Sequence, residues 1–229
     1  MSITPCGSLL FTASYDMHLK EFSIDQHSMP ESKDYGAIHE RTISCMIISP
    51  CGTTLYTSSG DKHIKEICIK EHAVRHDWGE CHQSTIKSIA VTPCGNFLFT
   101  GGYQSHLKQW NTQTRECVKD FENAHSGVIQ ALIMSPCGKH LFSGGSDKHL
   151  KSWNVETSEL VFDFGEVHTD TIKCLTMTPC GKYVISGSYD KSIKIWNSET
   201  GEMHCCMGDV HAHKVQTLII VPPLAVKEE

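Results

Sequence analysis

Twelve cysteines and 15 histidines among 229 residues are the side chains with the most chemistry to offer. Thiolate and imidazole are preferred zinc ligands, and histidine beside serine and aspartate is the constellation of acyl-transfer hydrolases. The densest metal candidate is His204-Cys205-Cys206-Met207-Gly208-Asp209-Val210-His211-Ala212-His213. Cys205 and Cys206 fall in a run that reads as an outer strand, where adjacent side chains point to opposite faces and cannot easily share one ion. Cys81-His82 meets the same objection. No metal site and no cofactor are expected.

Spacing explains most of these residues. His39, His82, His125, His168 and His211 lie 43 residues apart. A second series, His18, His63, His106 and His149, recurs at 45, 43 and 43, with Ser192 in the fifth place. Pro-Cys-Gly begins at Pro5, Pro50, Pro93, Pro136 and Pro179, which puts Cys6, Cys51, Cys94, Cys137 and Cys180 one per unit. Neighbouring turns should lie farther apart than the roughly 7 Å between Cα atoms that a disulfide tolerates. Cys45, Cys117 and Cys174 occupy strand positions and read as small core hydrophobes.

A period of 43 residues with internal similarity is the signature of a repeat array. Each unit reads as four short strands. An apolar run such as Ile172-Lys-Cys-Leu-Thr-Met177 precedes the Pro-Cys-Gly turn, and Tyr183-Val-Ile-Ser186 follows it. After a Gly-Ser-Tyr-Asp turn comes the alternating Ser192-Ile-Lys-Ile-Trp196, and a weaker outer strand closes the unit, as in Leu160-Val-Phe-Asp-Phe164. Five-residue runs punctuated by Gly, Asn and Asp indicate an all-β fold.

A four-stranded unit that recurs at this period and ends in a Trp strand resembles the WD40 β-propeller family. Trp-Asn stands for the family's Trp-Asp at Trp110-Asn111, Trp153-Asn154 and Trp196-Asn197, and has decayed to Phe22-Ser23 and Ile67-Cys68 in the first two units. The resemblance covers essentially the whole chain, as one propeller domain over 1–229. Its repeats run roughly 1–24, 39–69, 82–112, 125–155 and 168–198, with a partial copy at 211–224. It implies a buried tetrad of His, Ser or Thr, Asp and Trp in each unit. The full set is present as His125, Ser143, Asp147 and Trp153, and as His168, Ser186, Asp190 and Trp196. His82, Thr100 and Trp110 lack the Asp, having Gln104 instead, and His39, Thr57 and Asp61 lack the Trp, having Ile67. One such constellation would suggest a hydrolase. One per unit argues for architecture, with each chain of hydrogen bonds satisfying buried polar groups.

The first unit has Thr12 and Asp16 but no His and no complete inner strand, while the C-terminus carries a spare copy of each. The C-terminal strand would then pair with Leu9–Thr12, complete the tetrad with His211, and close a ring of about five blades, removing exposed sheet edges. The alternative is an arc belonging to a longer, seven-bladed propeller or completed by a partner.

The inner strands contain no Asp or Glu, which excludes the paired carboxylates of a glycosidase. The chain is expected to be no enzyme but a scaffold that binds other proteins or peptides, with a ligand- or phosphopeptide-binding propeller as the alternative. Aromatic and Arg side chains make good hot spots. Tyr15, Arg41, Tyr103, Asp170, Tyr189 and His213, in the loops of one face, are the candidate contacts. The periodic lysines Lys20, Lys65, Lys108, Lys151 and Lys194 should cover the interface between blades, a phosphate-binding ring being the weaker reading. Against 26 Asp and Glu there are 20 Lys and Arg, a net charge of −6, so nucleic acid is not an expected partner. The longest apolar stretch, 218–226, is far below the roughly 18–20 residues of a membrane span. The N-terminus has no basic segment ahead of an apolar core, so no signal peptide is read. A cytoplasmic location is expected, with the nucleus also open.

Overall fold

The computed structural model describes residues 1–24, 32–208 and 210–219. Its 20 strands form five separate four-stranded antiparallel sheets, each in simple sequence order. Blade one comprises β1 (Ser2–Ile3), β2 (Leu9–Ala13), β3 (His18–Ser23) and β4 (Ser32–Ala37). Blade two comprises β5 (Ile43–Ile48), β6 (Thr54–Ser59), β7 (His63–Cys68) and β8 (Ala73–Glu80). Blade three runs β9 (Ile86–Val91), β10 (Phe97–Gly102), β11 (Leu107–Asn111) and β12 (Cys117–Phe121). Blade four runs β13 (Ile129–Met134), β14 (His140–Gly145), β15 (His149–Asn154) and β16 (Leu160–Glu166). Blade five holds β17 (Ile172–Met177), β18 (Tyr183–Ser188), β19 (Ile193–Asn197) and β20 (Met203–Met207). Their inner strands follow one another in contact, β1 to β5, β5 to β9, β9 to β13 and β13 to β17.

The Pro-Cys-Gly turn joins each inner strand to the next. Gly52 N–H donates to Ser49 C=O at 2.8 Å, and the same bond recurs at Gly7, Gly95, Gly138 and Gly181. All five glycines have φ between +73° and +77°, the left-handed region where a Cβ is costly. Proline ahead of them fixes the φ that starts the turn. The Ser or Thr before that proline also accepts the N–H five residues on, as Thr92 Oγ1 does from Phe97 at 3.1 Å.

The core lies between blades rather than within them. Phe99, Leu107 and Phe121 of blade three pack with Ile129, Leu132, Leu141 and Trp153 of blade four in one buried cluster. An outer-strand aromatic rests on the tryptophan of the following blade: Trp78 on Trp110, Phe121 on Trp153, and Phe164 on Trp196, with ring centroids 5.5–6.2 Å apart. Such pairs contribute about 0.5–1.5 kcal/mol each beyond simple burial. Nearer the axis, a glycine on the second strand receives an isoleucine from the next inner strand, Gly101 against Ile129 and Gly144 against Ile172.

The segment expected to close the ring behaves differently. Ser2 and Ile3 already occupy the innermost place of blade one, paired with Phe11 and Leu10. Residues 214–219 form no strand, and residues 220–224 lie outside the described residues. Val215 is buried, its N–H donates to Ser188 C=O at 3.0 Å, and its side chain faces Gly187. It thus takes the seat on blade five that Ile172 takes on blade four. The contact the segment makes is with the blade behind it, and among the described residues no pairing with Leu9–Thr12 is formed.

A Cβ at Gly144 would stand 2.6 Å from Ile172 Cγ2, so Gly144→Ala should cost about 1–3 kcal/mol through overpacking. Gly208, where an added Cβ meets nothing within 4 Å, serves as control, and Gly208→Ala should stay within about 0.5 kcal/mol. Thermal unfolding of the two variants checks this; equal midpoints would refute close packing at the blade interface.

Candidate functional site

Each tetrad begins with a hydroxyl on the second strand that has no solvent access. Thr57, Thr100, Ser143 and Ser186 are all 0% exposed. In blade four, Trp153 Nε1–H donates to Ser143 Oγ at 2.8 Å, and His125 Nε2 lies 2.7 Å from the same oxygen. His125 Nδ1 lies 2.9 Å from both carboxylate oxygens of Asp147. Blade five repeats this with Trp196, Ser186, His168 and Asp190 at 3.1, 2.7 and 2.8 Å. One assignment satisfies every group: indole N–H to hydroxyl, hydroxyl to imidazole Nε2, and Nδ1–H to carboxylate. This matches a hydrolase triad in connectivity but not in access, since the hydroxyl is sealed from solvent and its oxygen already accepts the indole proton.

Variation among the blades follows the residues present. In blade two, His39 contacts Thr57 at 2.9 Å and Asp61 at 2.8 Å, with buried Ile67 where the Trp would stand. In blade three, Thr100 accepts from Trp110 at 2.8 Å and meets His82 Nε2 at 2.8 Å, but Gln104 bonds Gln83 rather than the ring. In blade one the set does not assemble. Asp16 accepts the N–H of His18, and His211 is exposed with no hydrogen bond to Thr12 or Asp16 among the described residues. Ser2 and Ile3, rather than the segment after His211, pair with the second strand of blade one.

Burial alone would raise the carboxyls of Asp61, Asp147 and Asp190; hydrogen bonds reverse this. Those from His39 and backbone His63 depress Asp61, that from His125 brings Asp147 to about 2, and those from Ser192 and His168 depress Asp190. His82 has no such partner, and burial, helped by the charge on Lys108, brings it down to about 4.

The second histidine series has partners that the sequence reading missed. His18, His63, His106 and His149 each contact an aspartate on the outer strand, Asp34, Asp77, Asp120 and Asp163, at 2.7–3.0 Å. Lys20, Lys65, Lys108 and Lys151 share those carboxylates at 3.1–3.8 Å. Three lysines also donate to carbonyls at the end of the preceding blade, Lys108 to Cys81, Lys151 to Ala124 and Lys194 to Val167. These aspartates recur every 43 residues, a signal available in the sequence.

All 12 cysteines are free. In each turn the sulfur sits against hydroxyls, Cys6 at 2.9 Å from Ser8 and 3.4 Å from Thr4, Cys51 at 3.0 Å from Thr53. Those hydrogen bonds lower the thiol pKa, to about 7 at Cys6, while burial raises Cys81 to about 12 and Cys174 to about 11. Among the described residues no group of three or more His, Cys, Asp or Glu is placed to hold a metal.

The loops of one face converge on a cavity of about 850 Å³. Tyr15, Arg41 and Tyr103 line it, from three successive blades, and the two tyrosines are 87% and 53% exposed. Asp170, Tyr189 and His213 do not line it; Asp170 and His213 are exposed, and Tyr189 is half-buried under Lys214 Nζ, 4.1 Å from its ring centroid. Two lining residues escaped the sequence reading, Lys87 and Lys173, each second in its inner strand.

Two outcomes follow from these titrations. His82 is depressed below the 6.5 of an unfolded histidine, so its stabilising share is complete above about pH 6.5 and lost as pH falls towards about 4, up to about 3 kcal/mol. Gln104→Asp restores the acceptor and should flatten that loss in chemical denaturation at about pH 7 and about pH 5; an unchanged difference would refute it. Alkylation by iodoacetamide should reach half its limiting rate at Cys6 near pH 7, while folded Cys81 and Cys174 stay protected. Mass-spectrometric site occupancy measures both.

Comparison with curated proteins found no match. The sequence model of the family described as WD domain, G-beta repeat matches residues 37–66, 76–111, 115–154 and 159–197. Each matched segment from 76 onward covers the outer strand of one blade and the three inner strands of the next, so the repeat itself spans the interface where the core lies. With more than half of its length in these matches, the chain belongs to the WD40 repeat family.

Proposed function

We propose that the protein is a non-catalytic scaffold that binds other proteins or peptides through the face carrying Tyr15, Arg41 and Tyr103. WD40 repeats generally mediate protein–protein interaction. The observation that carries the reading to this face is the shared cavity, where three successive blades each contribute a hot-spot side chain. Exposed tyrosines give large, rigid contact area at low entropic cost. The buried tetrads supply no accessible nucleophile. Twelve free thiols suit a reducing compartment, in keeping with the cytoplasm or nucleus. Among the described residues no helix is long and apolar enough to cross a membrane.

Affinity capture from lysate, with wild type beside a Tyr15→Ala, Tyr103→Ala double variant, tests the face. Loss of two hot-spot aromatics should weaken a specific partner by about 2 kcal/mol or more, roughly 30-fold. A partner retained equally by both proteins would overturn the assignment.

A further inference from the structure

The Pro-Cys-Gly turns stand at the opposite end of the inner strands from Tyr15, Arg41 and Tyr103. Consecutive turns abut. A Cβ on Gly52 would meet Pro5 Cδ at 3.3 Å, and one on Gly138 would meet Pro93 Cδ at 3.1 Å. Between the turns of blades three and four lies a second cavity, of about 760 Å³, lined by both Cys94 and Cys137. Its volume is within the roughly 300–1,000 Å³ of sites that hold small molecules. Both thiols are free and exposed, and Pro93 and Phe97 supply apolar wall beside them.

The polar groups around this cavity are left open by the protein itself. Lys62 and Lys148 pair with Glu80 and Glu166, whereas Lys139 and Glu156, both exposed and both in the lining, form no ion pair among the described residues. Val155 N–H donates to Lys139 C=O at 2.9 Å, which holds Glu156 one residue from that bond. His140, also in the lining, has its Nδ1 buried with no hydrogen-bond partner among the described residues. A buried polar atom left unsatisfied is uncommon in a folded chain. A cation, an anion and an open ring nitrogen around one cavity suit a ligand with a carboxylate, an ammonium and an amide.

The sulfur of Cys137 lies 3.4 Å from Ser135 Oγ, and that of Cys94 lies 3.3 Å from Thr92 Oγ1. These hydroxyls and the N–H two residues on favour the thiolate at both, and the Lys139 ammonium adds to this at Cys137. Cys180 has the same surroundings from Thr178 and Lys182. It does not line the cavity, and its lysine lies over the Tyr183 ring.

We propose that this cavity binds a small zwitterionic disulfide, of the glutathione disulfide class, and that Cys137 is the site it modifies. The Cys137 thiolate attacks one sulfur of the reagent, and the reagent's own S–S bond breaks as the new one forms. One half stays on Cys137 as a mixed disulfide. The other half leaves as a thiolate and takes up a proton from solvent, which balances the proton given up by Cys137. Cys137 is oxidised and the departing half is reduced, so the reagent is the sole oxidant. Lys139 holds a carboxylate of the retained half and Glu156 its ammonium. Neither this site nor the scaffold face depends on the other.

The test is site-resolved mass spectrometry of the reduced full chain after timed exposure to increasing glutathione disulfide. The rate at Cys137 should saturate with reagent and, at low concentration, exceed that at Cys180 by about tenfold, the effect of one charge-assisted contact. Lys139→Gln and Glu156→Gln should each bring Cys137 to within about twofold of Cys180. An unchanged rate at Cys180 in the same molecules reports an intact fold, and Glu156→Gln leaves the hydroxyl and lysine around the thiol in place, separating binding from acidity. Hydroxyethyl disulfide, which carries no charge, should react at the two cysteines alike. Equal rates with glutathione disulfide, or the same preference for Cys137 with the uncharged reagent, would overturn the site. So would an internal Cys94–Cys137 disulfide formed in place of the adduct.

Discussion

A hydroxyl sealed from water on the second strand of blades two to five is the constraint around which the rest is arranged. Ser143 and Ser186, with Thr57 and Thr100 at the same position, are buried completely. An unsatisfied hydroxyl there would cost roughly 1–3 kcal/mol. Each hydroxyl of blades three to five instead receives an indole proton from the third strand and gives its own to a histidine that precedes the inner strand. The histidine donates its Nδ1–H to an aspartate in the turn after the second strand, where that residue is present. One buried oxygen thus ties two strands, a loop and a turn to a single geometry. The loops so fixed are the ones that line the cavity of Arg41 and Tyr103.

The blades themselves are held by contacts between neighbours. Glycine on one second strand accepts isoleucine from the next inner strand, and an outer aromatic accepts the next tryptophan. At the outer edge the polar contacts differ from one interface to the next. Glu21 of blade one meets His72 of blade two, Glu66 meets Arg115, and Gln109 meets Ser158. The repeat makes the apolar contacts interchangeable, whereas these pairs do not match across interfaces. They favour one order of blades over a register shifted by a whole unit.

Periodicity made the four-stranded unit, the turn geometry and the tetrads legible, because each needs a particular side chain at a particular place in every copy. Ring closure was not legible in the same way. The C-terminal copy carries His211 and an apolar strand sequence, but its first apolar residue, Val215, fits the glycine seat on blade five as Ile172 fits that on blade four. That packing depends on the blade behind, and it gives no information about a partner ahead. Lys87 and Lys173 in that cavity were missed for another reason. Strand alternation treats Ile86-Lys-Ser and Ile172-Lys-Cys as ordinary pleat, and only a bulge, which is a feature of pairing, turns their second residue out of the pleat.

The bulge also explains why one residue of each inner strand differs from blade to blade. A regular inner strand, packed on both faces, has no place for a lysine. Leaving one residue per strand unpaired creates a position that the tetrad and the glycine–isoleucine contacts do not constrain. Side-chain identity there is free to vary, and it does: Ser44, Lys87, Gln130 and Lys173 stand at equivalent points, while their flanking residues remain apolar or small. The repeat thus separates two tasks. Positions that satisfy buried groups keep similar chemistry from blade to blade, whereas the bulged position is released from that constraint. Two lysines among four such positions share with Arg41 a cavity lined by no carboxylate, so its charge is opposite to that of the chain as a whole.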